Sequence, residues 1–403
     1  MTLEVINEEI VGTIDNLKAK LNGKLPITRE DLLVLVNSWG RKTSFYTKDS
    51  QNNDIYIESC EAKECYDLSK LDVSQITNMS DVFISSKFNG DISNWNMSNV
   101  TDMGFMFSDA ENFNQDINSW DVSNVTNMSS IFANTKKFNQ NISSWNVSNV
   151  TNMNSMFSNA RNFNQPIDSW NTSNVTNMMS MFLNTESFNQ DINSWDVSNV
   201  KNFCGTFFAS KKFNQPLNNW NVSNVISMRS MFSNAKSFNH DISQWNTSNV
   251  TDMSSMFSNA RNFNQDIGNW DTSKVINMHS IFFNAENFNA NVSSWSVSNV
   301  TDMSYMFSNA KKFNQNISKW NLDGVKRCFD MFDDAKDFEL KYNSSKPLPI
   351  NTNDIKEWII NNRDRMNELD IKDKYGDQID GFFSNILLTE CNKQSIACKK
   401  KDG

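Results

Sequence analysis

Large apolar residues recur along this chain with one fixed period. Tryptophan stands at Trp95, Trp120, Trp145, Trp170, Trp195, Trp220, Trp245, Trp270, Trp295 and Trp320, at the same interval each time, with no insertion or deletion. Five positions after each comes a valine, Val100 through Val325; twelve after, Phe107 through Phe332; eighteen after, Phe113 through Phe338. Self-similarity at a fixed period of this size marks a repeat architecture. One such unit cannot enclose its own apolar face, so copies must stack, each large side chain resting on its equivalent in the neighbouring coil. Within a unit, Val100, Met103, Met106, Phe107 and Ala110 fall at offsets 0, 3, 6, 7 and 10. That spacing is one face of a helix, and Thr101 and Asp102 suit its first turn, so a short helix over 101–109 is predicted in every unit. Phe113-Asn114-Gln115-Asp116-Ile117 reads as a short strand, and the segment after the tryptophan as a turn. The fold class expected is an α/β repeat solenoid of about ten coils, each a short parallel strand plus a short helix, with α-rich terminal caps.

The polar columns divide into invariant and varied. Asn114 recurs as Asn139, Asn164, Asn189, Asn214, Asn239, Asn264, Asn289 and Asn314. This reads as an internal asparagine ladder that satisfies turn backbone along the stack. The next two columns vary and are read as outward-facing. They run Gln115, Gln140, Gln165, Gln190, Gln215, His240, Gln265, Ala290, Gln315 and Asp116, Asn141, Pro166, Asp191, Pro216, Asp241, Asp266, Asn291, Asn316. Proline at 166 and 216 has no amide to donate, so that column ends the ladder or meets solvent. The candidate partner-contacting residues are therefore Gln115, Asp116, Gln140, Asn141, Gln165, Gln190, Asp191, Gln215, His240, Asp241, Gln265, Asp266 and Gln315. A further column, Glu111, Lys136, Arg161, Glu186, Lys211, Lys236, Arg261, Glu286, Lys311 and Lys336, reads as a solvated ridge.

The repeat decays at both ends, as terminal coils with one open face should. Residues 71–94 are a degenerate first unit with Leu71 in the tryptophan position, and the array is read as 71–344. Residues 1–70 are expected to form an α+β cap. It comprises a helix over about 3–21, a second helix after Pro26 opened by Thr28-Arg29-Glu30-Asp31 as a capping box, and a hairpin of 44–47 with 54–58. Residues 345–403 are expected to be a helical cap with a basic tail.

Composition changes this picture little. A net charge of −9 argues against general nucleic-acid affinity. No apolar run is long enough to cross a bilayer, and the acidic N-terminus, unlike a secretory signal, favours an intracellular location. Six cysteines without a CxxC, and only two histidines, fit neither a disulfide framework nor a zinc site. No nucleophile elbow, HExxH, P-loop or dinucleotide fingerprint is present. The expectation is a monomeric, cofactor-free, non-catalytic protein that binds or scaffolds a protein partner.

The unit W-[ND]-V-S-N-V-T-[ND]-M-x-x-M-F-x-x-A-x-x-F-N-Q-[DNP]-I resembles the BspA-like repeats of bacterial surface proteins, in the version common in Mycoplasma-type surface lipoproteins and related to Treponema-type leucine-rich repeats. The likeness covers about residues 71–340. It implies a leucine-rich-repeat-like curved solenoid with a parallel sheet along one side, and roles in adhesion and protein binding without catalytic residues. It also implies the alternative of an exported or particle-surface adhesin.

Overall fold

The computed structural model describes residues 20, 23–38, 42–48, 54–61, 67–315, 317 and 319–338. The chain falls into two compact units, Met1–Asn199 and Val200–Gly403.

Helix α1 (Arg29–Ser38) opens the first unit where the capping box placed it. Thr28 Oγ1 accepts the amide of Asp31 at 3.2 Å, and Asp31 Oδ2 accepts the amide of Thr28 at 3.4 Å. Strands β1 (Lys42–Lys48) and β2 (Asp54–Glu61) form the expected antiparallel hairpin, with an irregularity between Phe45 and Tyr46. The chain then enters the array through a 3-10 turn at Leu68–Lys70. Ile27, Leu32, Leu35 and Val36 are buried. The Ile27 amide donates to the Asp72 carbonyl at 2.8 Å, and Arg29 Nη2 to the Ser80 carbonyl at 2.6 Å. These contacts tie the helix to the first coil. The helices expected over about 3–21 and beyond 345 lie outside the described residues, apart from Lys20.

Inside both units the repeats stack in register. In the first, ring centroids of Trp95 and Trp120 lie 6.4 Å apart and those of Trp120 and Trp145 6.5 Å. In the second, Trp245, Trp270 and Trp295 follow at 6.3 and 6.4 Å. Each coil also pairs its own phenylalanines face to face, Phe107 on Phe113 and Phe257 on Phe263 at 3.9 Å. The rings are nearly parallel along each file because each coil repeats its neighbour's backbone. Burial is close to complete for the Trp, Val, Met, Phe and Ile columns. Burying one such side chain contributes about 1.5–3 kcal/mol. The indole N–H is satisfied by a carbonyl of the coil before: Trp145 on Ile117 at 3.0 Å, Trp270 on Ile242 at 3.1 Å.

The helix and the strand expected in each unit are both absent from the coils. In 103–110, alternate amides do different things. Those of Met106, Ser108 and Ala110 close tight turns onto Met103, Phe105 and Phe107. Those of Met103, Phe105, Phe107 and Asp109 cross to the next coil, onto Asn127, Ser129, Ile131 and Ala133, at 2.8–3.0 Å. Phe105 and Asp109 take positive φ, 58° and 60°. A right-handed helix cannot contain such residues. The apolar spacing of three, three and one serves successive turns as well as it serves a helix. Serine and asparagine, poor in helix interiors, hold most of the positive-φ positions. The segment 113–117 runs without ladder bonds. Parallel pairing is confined instead to single residues, Asp102–Asn127–Asn152–Asn177 in the first unit and Asn202–Ser227–Asp252–Asn277–Asp302–Arg327 in the second.

A turn and a helix respond oppositely to glycine. Ser255 has φ 56°. Ser255→Gly is expected to be neutral or to stabilise by up to about 1 kcal/mol, whereas a helix interior would be destabilised by a few tenths of a kcal/mol. Ser255→Val is expected to cost about 1–2 kcal/mol. Urea denaturation of the three proteins decides the sign.

Candidate functional site

The asparagine column forms the ladder read from the sequence. In the first unit the amides of Asn139, Asn164 and Asn189 donate to Oδ1 of the preceding coil's asparagine at 2.9, 2.9 and 2.8 Å. In the second, Asn239, Asn264, Asn289 and Asn314 do the same at 2.7–3.0 Å. The glutamine column joins this ladder. Nε2 of Gln115 and Gln140 donates to the carbonyls of Asn89 and Asn114 at 2.9 and 3.0 Å. Gln165 donates to Asn139 Oδ1, and Gln190, Gln265 and Gln315 each reach both oxygens of the preceding coil's asparagine. His240 takes the same place with Nε2 3.0 Å from the Asn214 carbonyl, which makes that nitrogen the donor. Gln215 is half-buried like its equivalents. These glutamines stitch coils together, a role the expectation of an outward column did not include.

The aspartate column does face solvent: Asp116, Asn141, Pro166, Asp191, Asp241 and Asp266 are exposed. Its acids act locally. Oδ1 of Asp116, Asn141, Asp191, Asp241 and Asp266 accepts the amide two positions on at 2.8–3.0 Å, an Asx turn at the corner of the coil. The ridge of mixed charge carries ion pairs between coils, Lys136–Glu111 at 2.6 Å, Arg161–Glu186 at 3.8 Å and Arg261–Glu286 at 3.4 Å.

A second outward surface was not recognised from the sequence. It is formed by the column of Phe105, with the half-buried side chains of His279 and Phe283 beside it in the second unit. In most coils this position is serine at positive φ; Phe105 takes it in the first unit, 44 % exposed, and Tyr305 in the second, 37 % exposed, both at φ 58°. Its ring meets His279 edge-on at 5.8 Å and Phe283 edge-on at 6.4 Å. Asp302 lies beneath, 3.0 Å from Arg327 Nη2 and 3.9 Å from His279 Nδ1. Ile276, in a column otherwise rich in threonine, is 50 % exposed. The signal that could have found this group was departure from the repeat: an aromatic where serine recurs. Assigning 101–109 to a helix concealed it.

Asx turns also recur after nine of the ten repeat tryptophans, at the column of Asp121, and they bear on acid stability. The hydroxyl and amide of Ser123 hold the Asp121 carboxyl below its ordinary range. Ser273 does the same for Asp271, and the amide and hydroxyl of Ser243 for Asp241. A carboxyl whose pKa is depressed by folding contributes stability above its unfolded value, and that contribution is lost as pH falls through the folded value. Thermal melts are therefore expected to show falling stability from about pH 5 to about pH 3. A triple variant, Asp121→Asn, Asp241→Asn and Asp271→Asn, keeps the acceptor and should flatten that decline.

The described residues include no helix long and apolar enough to cross a membrane. No curated protein matches the chain. A family profile matches it four times in overlapping register, over residues 53–170, 134–245, 158–270 and 227–345. Together these matches span well over half of the chain. The chain, a tandem array of short units with one fixed period, belongs to the family described as Mycoplasma protein of unknown function, DUF285.

Proposed function

We propose that this protein is a non-catalytic scaffold that binds another protein, and that the group around Tyr305 anchors the partner. The observation that carries this is the backbone at Tyr305. A bulky residue at positive φ costs about 1–2 kcal/mol where glycine would be unstrained, and strain of this kind concentrates at functional sites. The side chain so placed buries itself incompletely and meets His279 and Phe283 edge-on. Aromatic anchors ringed by charge, here Asp302 and Arg327, are the usual composition of the energetic centre of a protein interface. The repetition of the remaining surface supports a scaffold over an enzyme, because catalysis gathers unlike groups in one pocket. The Gln115 and Asp116 columns would then not supply its energy.

Tyr305→Ser separates binding from folding. Capture of the partner from extracts of the native source should fall at least tenfold, while the thermal midpoint holds, because serine is the residue most coils carry at this position. Unchanged capture by a folded variant would refute the assignment of Tyr305.

The second reading is an exported or particle-surface adhesin of the BspA-like type, favoured by the likeness of the repeat unit to that family. It is distinguished by protease treatment of intact cells or particles from the native source. Loss of the full-length chain without lysis supports the adhesin, and protection until lysis supports an internal scaffold.

A further inference from the structure

The second unit carries a groove of about 620 Å³ that runs across successive coils beside the asparagine ladder. One wall is the ladder itself, Asn239, Asn264 and Asn289; the other is the column just before it, Asn262 and Asn287, ending at Lys312. The buried phenylalanines Phe263 and Phe288 stand between the walls in sequence, so the two polar columns are held at fixed separation by the core. From the geometry of this groove we infer a binding site for a neutral oligosaccharide lying along the stack.

The groove holds unspent hydrogen-bonding capacity. Each ladder asparagine uses Oδ1 to accept the next coil's amide. Within the described residues, the Nδ2 groups of Asn239, Asn264 and Asn289 make no bond, and neither does the carboxamide of Asn262 or Asn287. An asparagine Nδ2 carries two donors, and the free carboxamides also offer acceptors. The groove thus presents donors and acceptors at regular intervals, with Lys312 its single charged lining residue. A polyanion finds too little positive charge there, and an apolar peptide finds no exposed apolar wall. A ligand dense in hydroxyls both donates and accepts at every contact.

Spacing favours sugar over an extended peptide. Coils joined by backbone N–H···O bonds repeat at about 4.8 Å, whereas a strand presents its same-side groups at intervals of about 6.6–6.8 Å. A strand laid along the groove therefore falls out of step with the amides within one or two coils. An extended β-linked chain of pyranose rings places about one ring over each coil, and every ring carries hydroxyls on both edges, so each coil meets a donor and an acceptor whichever way its ring is turned. From Asn214 to Asn289 the ladder side of the groove crosses three coil rises. That is a length of about 14 Å, enough for a tri- or tetrasaccharide.

The test uses the full chain and calorimetric titration with cellohexaose, chitohexaose, maltohexaose and a neutral Gly/Ser decapeptide. At least one hexasaccharide should give saturable binding, and Asn262→Ala/Asn287→Ala should weaken it at least tenfold. Those two side chains hold nothing in the scaffold, so the double variant should keep the parent's thermal midpoint. No saturable binding of any hexasaccharide, binding unchanged in the folded double variant, or preference for the decapeptide would overturn the inference. Since the groove and the Tyr305 group are separate, Tyr305→Ser should leave the titration unaltered.

Discussion

The whole architecture depends on the hydrogen bonds by which every second amide of 103–109, and of its equivalents, crosses to the next coil. They exist only because the same backbone conformation recurs once per repeat. Insertion of a single residue would put each donor opposite another donor and turn buried side chains toward the wrong file. The invariance of the period is thus a geometric requirement. It also places each ring over its equivalent, so the aromatic files follow from the backbone register.

The polar composition has the same origin. A coil this short, with neither helix nor sheet, must turn repeatedly, and its turns leave backbone groups without regular partners. In most repeats asparagine or aspartate accepts the amide two positions on at three columns, those of Asp116, Asp121 and Asn127. Asparagine tolerates positive φ at the Asn134 column and bridges coils at the Asn114 column. Serine and threonine hydroxyls reach carbonyls of the coil before, as Ser119 does to Ser93 and Thr126 to Thr101. The abundance of Asn, Ser and Asp is therefore structural, and their presence on the surface says little about ligands.

What the scaffold does not require is free to differ. Tyr305 stands where serine would be less strained, and the side chains of Asn262 and Asn287 hold no bond in the coil. Such positions carry information about binding because removing them leaves the stack intact. The Gln115 column shows the opposite case. It varies in sequence, yet its members reach back to the ladder, so variation alone did not separate contact residues from supporting ones.

The sequence by itself determined the register, the membership of the buried files, the asparagine ladder, the Thr28–Asp31 cap and the hairpin. Each follows from a local rule or from the fixed period: burial recurs with the repeat, a capping box spans a single helical turn, and a hairpin needs a short polar link. Only the tertiary structure decided that 101–109 is a run of turns and that 113–117 forms no strand. Offsets of 3, 6, 7 and 10 fit a helix and a chain of tight turns alike. The choice lies in where the alternate amides go, and their acceptors belong to the neighbouring coil. For the same reason the chain shows Tyr305 as a departure from the serine column but not the group around it. His279, Phe283, Asp302 and Tyr305 become neighbours only once adjacent coils lie side by side.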